Sequence, residues 1–268
     1  MRWEAATVLI TGASRGIGRV TAQRAAERGA WVALVGRSAG ALGEALAECG
    51  GRGVAIVADV SRRDDVERAV AEAVEQLGPI DILVNCAGIG AAGPFADEDL
   101  DRVDAVIGTN LLGVLYTSRT VVRSMTDRGR GHIVNVGSIS GRVPVPFESV
   151  YCAAKFGVAG FTKALALDLE PSGVGVSLIT PGPVDTGFEG GMGRTYVRRR
   201  PRPVRPELVA DAIIAIVERG GCERTIPRWL VASRFVETLA PPLYRFGARH
   251  AFKIATRHKG STVTKGSS

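Results

Sequence analysis

Thr7-Val8-Leu9-Ile10-Thr11 runs directly into Gly12-Ala13-Ser14-Arg15-Gly16-Ile17-Gly18, and this stretch decides the fold. Its first five residues are apolar or β-branched and predict a buried strand. A helical pattern follows from residue 16 and closes at Gly29, as glycine often does just past a helix. A glycine-rich turn between strand and helix lets backbone N–H groups approach a pyrophosphate at the positive end of the helix. The sequence therefore predicts a nucleotide site near its N-terminus.

Strand and helix patterns alternate along the rest of the chain. Short runs such as 32–35 and 80–84 are almost wholly apolar, as strands buried on both faces are. The alternation predicts an α/β, Rossmann-like, doubly wound fold with a parallel sheet and helices on both faces. We predict strands at 6–11, 31–35, 53–58, 80–84, 131–137, 174–179 and 223–226, and helices at 16–28, 39–49, 63–77, 98–107, 109–127, 150–170 and 206–219.

A second pattern predicts a proton-transfer site. Lys155 follows Tyr151 by four residues, and Ser138 precedes Tyr151 by thirteen. Residues four apart share a helix face, so the ammonium and the phenol can approach each other. A neighbouring cation lowers the pKa of a phenol towards the neutral range, where the phenol can exchange a proton with a carbonyl or alcohol oxygen. Taken alone the spacing is a weak signal, because such a pair is usually one packed and one solvated side chain.

Together with the glycine-rich turn, this pattern resembles the short-chain dehydrogenase/reductase family. The resemblance covers roughly residues 5–227 and implies one Rossmann-like domain over 1–227, with seven parallel strands in the order 3-2-1-4-5-6-7. Cys86 departs from the family, which more often has a second asparagine at this mainly structural position. The matching motifs, in the family's order, are Thr11 to Gly18, Asp59-Val60, Asn85-Cys86-Ala87-Gly88, Asn110, Ser138, Tyr151 with Lys155, and Pro181-Gly182-Pro183-Val184-Asp185-Thr186.

The resemblance implies hydride transfer between a nicotinamide and a carbonyl or secondary alcohol. Tyr151 would be the acid/base, Lys155 would lower its pKa and bind the nicotinamide ribose, and Ser138 would hold the substrate oxygen. Asn110 would hold a water that links Lys155 to a proton relay. A catalytically silent redox sensor is the alternative, and the complete catalytic set argues against it. The expected cofactor contacts are Gly12, Ser14, Arg15, Gly16, Ile17, Gly18, Arg37, Ser38, Asp59, Val60, Asn85, Ala87, Gly88, Tyr151, Lys155, Pro181, Gly182, Val184 and Thr186.

The end of the second predicted strand indicates which cofactor is used. An NAD site usually places an acidic residue there to accept from the ribose 2′-OH, and this chain has Gly36 instead. Arg37 follows it and would attract a 2′-phosphate, which Arg15 and Ser38 could also reach. These residues predict NADP(H); the alternative is that the two arginines are solvated surface groups.

Composition excludes several other classes. The four cysteines and three histidines lack metal-ligand spacing, so no metal is expected. The net charge is +10 over 189–268 and −3 over 1–188, and no nucleic-acid-binding motif accompanies the basic part. The first strand begins close to Met1, which leaves no room for a signal peptide, and no apolar run approaches the ~20 residues of a membrane span. We therefore expect a cytoplasmic protein without a nucleic-acid partner.

The substrate region is less determined. The family resemblance implies that the segment 187–206, rich in Gly, Arg and Pro, closes over a small substrate. The apolar segment before Tyr151 favours a lipophilic substrate, such as a ketone, aldehyde, steroid-like compound or acyl-thioester. The arginines could dock an anionic carrier or form a solvated lid. The residues concerned are Ile139, Val143, Val145, Pro146 and Phe147, and Arg194, Arg198, Arg199, Arg200, Arg202 and Arg205.

Beyond the predicted domain, residues 228–257 show a basic, amphipathic helical pattern, and 258–268 predict a disordered tail. The stripe of Trp229, Ala232, Phe235, Val236 and Leu239 could pack on the protein or make peripheral contact with an anionic membrane. The family also implies a homodimer or homotetramer that pairs through helices 109–127 and 150–170. The residues expected at that contact are Ala159, Phe161, Ala164, Leu165, Ala166 and Leu169.

Overall fold

A seven-stranded parallel sheet forms the centre of the computed structural model, which describes residues 1–187, 196–198 and 202–254. The predicted tail and most of the predicted lid, including Arg194, Arg199 and Arg200, lie outside these residues. The strand order is β3-β2-β1-β4-β5-β6-β7, which confirms the expected order. The strands are β1 Thr7–Thr11, β2 Trp31–Gly36, β3 Gly53–Val57, β4 Ile82–Asn85, β5 Gly131–Val136, β6 Val174–Pro181 and β7 Glu223–Ile226.

Helices cover both faces of the sheet, as the alternation predicts. On one face, α1, α2 and α7 pack on the strands, and on the other α3, α5 and the end of α6 enclose a second apolar core. The central strands are rich in apolar residues because both of their faces are buried; all residues of β1, β4 and β5 are buried. The helices are α1 Gly16–Ala26, α2 Ala39–Glu48, α3 Arg63–Leu77, α4 Leu100–Ile107, α5 Gly113–Asp127, α6 Ser149–Leu169, α7 Pro206–Arg219, α8 Val231–Leu239 and α9 Pro241–Ala251.

The sequence pattern places separate helices at 98–107 and 109–127, but the structure joins them. A single π-helical turn, Gly108–Leu112, links α4 to α5. A π-turn inserts one residue into the helix and shifts the carbonyl ladder, and such turns are frequent at functional sites. Here the turn carries Asn110, whose side chain is fully buried.

Helix α6 bears on two expectations. By length and composition Ser149–Ser172 could cross a membrane, although no such run is expected from the sequence; 44% of its most apolar 18-residue window is buried inside the protein. Ala159 and Leu169, which are expected at a subunit contact, are buried within this chain. Ala164, also expected at that contact, is exposed, and the large apolar side chains that α6 exposes are Phe156 and Leu167, at 43% and 72%.

The C-terminal extension forms a helical hairpin of α8 and α9. Leu230, just before α8, is buried against Ile139 and Val143, and Tyr244 of α9 packs on the same cluster. After α9, the backbone of Phe252–Ile254 pairs antiparallel with Tyr196–Arg198. The hairpin thus packs on the segment that connects β5 to α6.

Candidate active site

The glycine-rich turn connects β1 to α1 at the carboxyl edge of the sheet. Gly12 adopts a φ of +67°, in the left-handed region that glycine tolerates without cost. A Cβ at Gly12 would also lie 2.7 Å from the Cα of Ala87, so any side chain would push the turn off the end of β4. The Thr11 hydroxyl fixes the same junction, because it accepts hydrogen bonds of 3.1 Å from the N–H groups of Cys86 and Ala87.

The N-terminus of α1 opens on a cavity that the turn borders. Its N-cap residue, Arg15, makes no side-chain capping hydrogen bond, and the first turn contains no acidic residue. Gly16 and Ile17 line the cavity at this end. Free N–H groups and the positive end of the helix dipole together favour an anion. The site therefore fits the pyrophosphate of a dinucleotide.

One end of the cavity lies at the tip of β2. Gly36 and Arg37 line it there, together with Asp59 and Val60 after β3. The side chain of Arg37 is exposed, and exposed Arg15 reaches across to donate a 3.3 Å hydrogen bond to the Thr186 carbonyl. The Arg37 guanidinium therefore borders this end of the cavity, whereas that of Arg15, which the sequence pattern expects here, bonds to the loop after β6.

Ser38 and Gly18 support the cavity from outside its lining. The Ser38 hydroxyl caps α2 by accepting a 3.5 Å bond from the N–H of Ala41. A Cβ at Gly18 would lie 2.9 Å from the carbonyl carbon of Gly12, so the absent side chain lets α1 start directly against the turn.

Asn85 lies behind the cavity wall, not in it. The family resemblance implies that Asn85 lines the cofactor ribose, but its side chain is buried between β4, β5 and α5. Its amide nitrogen donates to the Asn135 oxygen at 2.8 Å and to the Ser118 hydroxyl at 3.2 Å. Its amide oxygen accepts from the Thr117 hydroxyl at 2.6 Å. This buried polar network fixes the end of β4, from which Ala87 and Gly88 extend into the cavity lining.

The predicted proton-transfer residues meet at the other end of the same cavity, which Ser138, Tyr151 and Lys155 all line. Tyr151 and Lys155 are buried in the first two turns of α6, and the Lys155 nitrogen lies 5.8 Å from the centre of the Tyr151 ring. Burial lowers the pKa of Lys155 to about 8. The Ser138 hydroxyl accepts a 3.1 Å bond from the N–H of Ser140, which orients it at the end of β5.

The Asn110 side chain is bonded to the backbone of the loop after β4. Its amide oxygen accepts from the N–H of Ile89 at 2.8 Å, and its amide nitrogen donates to the Ile89 carbonyl at 2.7 Å. Asn110 thus ties the π-turn to the loop that carries Gly88 and Ile89 in the cavity lining.

The structure adds residues that the motifs do not indicate. Ser140 and Glu148 both line the cavity, and the Ser140 hydroxyl donates a 2.7 Å hydrogen bond to a Glu148 carboxylate oxygen. Phe147, beside it, has a φ of +67°, and its carbonyl accepts a 2.8 Å bond from Gly93 that holds this conformation. For Glu148, the signal in the sequence is its position alone, about one helical turn before Tyr151.

The apolar segment before Tyr151 packs differently from our expectation. Ile139 and Val143 contact Leu230 and Tyr244 of the C-terminal hairpin, and neither lines the cavity. Phe147 is 37% exposed. The apolar residues that do line the cavity include Ile89, in the loop after β4, and Val184, after β6. Hydrophobic residues here thus anchor the hairpin more than they shape a pocket.

Comparison with known proteins agrees with this geometry. The family model described as short chain dehydrogenase matches residues 6–196. The chain belongs to this family. It is therefore an oxidoreductase by family, with the glycine-rich turn and the Tyr151–Lys155 pair at the positions that the motifs predict.

Two curated relatives illustrate the family's range. This dehydrogenase is 36% identical over 220 residues to the ketoacyl reductase HetN of Nostoc sp., covering 79% of this chain and 75% of that protein. It is 32% identical over 238 residues to the 3-ketodihydrosphingosine reductase of Bacteroides thetaiotaomicron, covering 88% and 85%.

Two solved structures have the same fold. The 3-ketoacyl-(acyl-carrier-protein) reductase from Brucella melitensis, complexed with NADH, superposes with a TM-score of 0.76 at 29% identity, covering 84% of this chain and 99% of that one. A single-substitution variant of actinorhodin polyketide ketoreductase with NADPH gives 0.76 at 29% identity, covering 84% and 97%. Structural neighbours of this dehydrogenase thus bind either nicotinamide cofactor.

Proposed function

We propose that the protein is an NADP(H)-dependent reductase of a ketone or aldehyde carried on a lipophilic molecule. One observation carries this proposal: a single cavity runs from the uncapped N-terminus of α1 to Ser138, Tyr151 and Lys155. A dinucleotide whose pyrophosphate lies at α1 would extend towards the proton-transfer residues. The substrate carbonyl would then lie between the nicotinamide and Tyr151.

The preference for NADP(H) rests on charge at the tip of β2. Gly36 offers no carboxylate to accept from a ribose 2′-OH, and the exposed side chain of Arg37 follows it in the cavity lining. A 2′-phosphate would gain charge-assisted hydrogen bonds from the Arg37 guanidinium. Asp59, after the neighbouring strand β3, is an acidic residue in the lining at this end of the cavity. Its carboxylate is already engaged, because it accepts hydrogen bonds from the N–H and the hydroxyl of Ser61 at 2.9 and 2.7 Å.

Three side chains would carry out the protein's part of the reduction. Bound NADPH supplies the hydride that reduces the carbonyl carbon. The Tyr151 hydroxyl donates a proton to the carbonyl oxygen, while the Ser138 hydroxyl donates a hydrogen bond that holds that oxygen in place. The Lys155 ammonium stabilises the resulting phenolate by charge until the proton is replaced.

The names of two relatives and the charge of the chain's surface support the substrate class that we propose. HetN is named a ketoacyl reductase and the Bacteroides protein a 3-ketodihydrosphingosine reductase. Each of these names specifies a substrate whose ketone is part of an acyl or sphingoid molecule. The exposed arginines Arg202 and Arg205 would favour an anionic group at the rim, such as the phosphate of a carrier. We therefore favour a long-chain ketone or a ketoacyl thioester.

The test combines cofactor binding with one substitution. Fluorescence titration should show tighter binding of NADPH than of NADH, and a screen of acyl-thioester, sphingoid, steroid and quinone carbonyls with NADPH should identify a substrate. Tyr151→Phe should lower kcat with that substrate by about 10²–10⁴-fold, the usual contribution of a general acid, with the NADPH dissociation constant nearly unchanged. Tighter binding of NADH would overturn the cofactor assignment, and an active Tyr151→Phe variant would overturn the catalytic one.

A further inference from the structure

The α8–α9 hairpin buries one side and leaves its most hydrophobic side chains in solvent. Leu230 is 5% exposed, and Tyr244 donates a 2.7 Å hydrogen bond from its hydroxyl to the Pro144 carbonyl. These contacts anchor the hairpin on the segment between β5 and α6. Large apolar side chains nevertheless remain 60–79% exposed over eighteen residues: Trp229, Phe235, Leu239, Leu243 and Phe246.

Helical spacing gathers these side chains into stripes. Phe235 and Leu239 are four residues apart on α8, and Leu243 and Phe246 are three apart on α9, so each pair lies on one face of its helix. The two helices pack against each other and present their stripes from the same hairpin. An exposed apolar patch of this kind, unlike scattered single residues, marks a contact site. We call residues 229–246 the hairpin patch.

The charges around the hairpin patch are almost all positive. Residues 228–250 contain four arginines and one glutamate. Arg228, Arg245 and Arg249 are exposed, whereas Arg234 is paired with Glu223 at 3.5 Å. A second copy of this chain would bring the same arginines against each other. An anionic lipid surface would instead neutralise them and accept the aromatic and leucine side chains into its interfacial layer.

The helices are too short to span a membrane and suited to lie on one. At about 1.5 Å per residue, α8 and α9 are about 14 and 17 Å long, well under the roughly 30 Å of the hydrocarbon core. Lying flat, they would insert their apolar stripes while the arginines contact lipid phosphates. We propose that the hairpin patch docks this protein on the surface of an anionic lipid bilayer.

The docked face would adjoin the catalytic site. Tyr244 contacts Pro144, six residues after Ser138 and seven before Tyr151. Beyond α9, Phe252–Ile254 pairs with Tyr196–Arg198, in the segment that follows the cavity-lining residues Pro181 to Thr186. A bilayer bound at the hairpin would therefore lie close to the segments on either side of the cavity.

The test uses the full-length protein and sedimentation with vesicles. The protein should bind vesicles of phosphatidylcholine with phosphatidylserine at low salt and bind them more weakly at high salt. It should bind little to vesicles of phosphatidylcholine alone. The combined Phe235→Ala, Leu239→Ala and Phe246→Ala variant should bind at least about tenfold more weakly, since its lost apolar area drives insertion. A matched Phe95→Ala and Leu100→Ala variant, which removes side chains 63% and 74% exposed elsewhere, should bind as the unaltered protein does.

Charge reversal and light scattering distinguish the remaining outcomes. Arg245→Glu with Arg249→Glu should weaken binding to anionic vesicles about tenfold or more and remove its salt dependence. Circular dichroism would establish that each variant is folded. If the unaltered protein does not sediment with anionic vesicles at low salt, the proposal is wrong. If the triple variant falls from an oligomer to a monomer, the hairpin patch is a subunit contact and the proposal is overturned.

Discussion

The ammonium nitrogen of Lys155 lies 2.9 Å from the carbonyl oxygen of Val136 and donates a hydrogen bond to it. Val136 ends β5 and Lys155 is in the second turn of α6, so this bond ties the catalytic helix to the sheet edge that carries Ser138. Lys155 is only 5% exposed, and burial lowers its pKa to about 8. Its charge is thus costly in the folded protein.

This cost predicts how stability varies with pH. Below pH 8, Lys155 is protonated in both the folded and the unfolded state, and the full burial cost applies. Between about pH 8 and 10.5 the unfolded chain binds a proton that the folded protein lacks, so stability rises with pH. The total rise is about 3 kcal/mol.

Lys155→Met lacks this titration. The free energy of unfolding of the unaltered protein minus that of Lys155→Met should therefore increase by about 2 kcal/mol between pH 7 and pH 9.5. Urea unfolding of both proteins at each pH measures the difference. A difference that stays constant would show that Lys155 titrates normally. The variant should also lose turnover at every pH.

Gly36 is expected to control the choice of cofactor. A Cβ there would lie 3.3 Å from Cδ2 of Leu42, the end of a flexible side chain that can shift, so Gly36→Asp should fold. The new carboxylate would repel a 2′-phosphate and accept from a 2′-OH. The ratio of NADPH to NADH dissociation constants should rise at least about tenfold, the effect of 1.4 kcal/mol. Arg37→Ala should weaken NADPH binding and leave NADH binding nearly unchanged; equal losses for both would contradict the assignment.

The strands could be predicted because local pattern and packing agree, whereas their order is implied by the family resemblance. A parallel strand buried on both faces is mainly apolar, and β1 and β4 show this directly in sequence. The spacing of Tyr151 and Lys155 likewise brings them to one cavity, since a helix fixes which residues share a face.

Side-chain roles that depend on distant partners could not be predicted. The Asn85 amide faces Thr117 and Asn135, more than thirty residues away, and no local pattern shows that it turns from the cavity to the core. Ile139 and Val143 are apolar enough for a pocket wall, but the hairpin more than eighty residues later covers them. Apolar composition indicates burial without indicating the partner.

Gly141 is a further position that the motifs miss. A Cβ there would lie 2.6 Å from the carbonyl carbon of Lys155, because the turn after Ser138 packs directly on the α6 backbone. Gly141→Ala should destabilise the protein by about 1–3 kcal/mol and lower kcat by moving Ser138. Gly43→Ala, at an exposed α2 position with no atom within 4 Å, should instead stabilise by about 1 kcal/mol. Thermal unfolding and turnover of both variants test the contrast; unchanged stability in Gly141→Ala would contradict it.

A charge contact between the segment after Ser138 and the start of β7 joins Arg142 to Glu223. The Arg142 Nε donates to a Glu223 oxygen at 2.9 Å, and its Nη2 lies 2.7 Å from the other oxygen as an ion-pair contact without hydrogen-bond alignment. The Arg142 side chain is 7% exposed, and its burial lowers its pKa despite the carboxylate. Thr180 and Arg234 contact the same carboxylate at 3.2 and 3.5 Å.

Glu223→Ala should therefore cost far more than the loss of an exposed ion pair. It would leave a buried guanidinium without its counter-charge, which typically costs about 3–5 kcal/mol, and release Arg234 of α8. Glu218→Ala is the matched control, since Glu218 pairs with Arg28 at 3.3 Å with both side chains about 40% exposed, and its loss should cost under about 1 kcal/mol. Denaturant unfolding gives both free energies. Equal small losses of unfolding free energy in both variants would show that solvent screens the Arg142–Glu223 pair. If a protease cleaves residues 228–254 in Glu223→Ala but not in Glu218→Ala, the Glu223 carboxylate holds the hairpin to the rest of the protein.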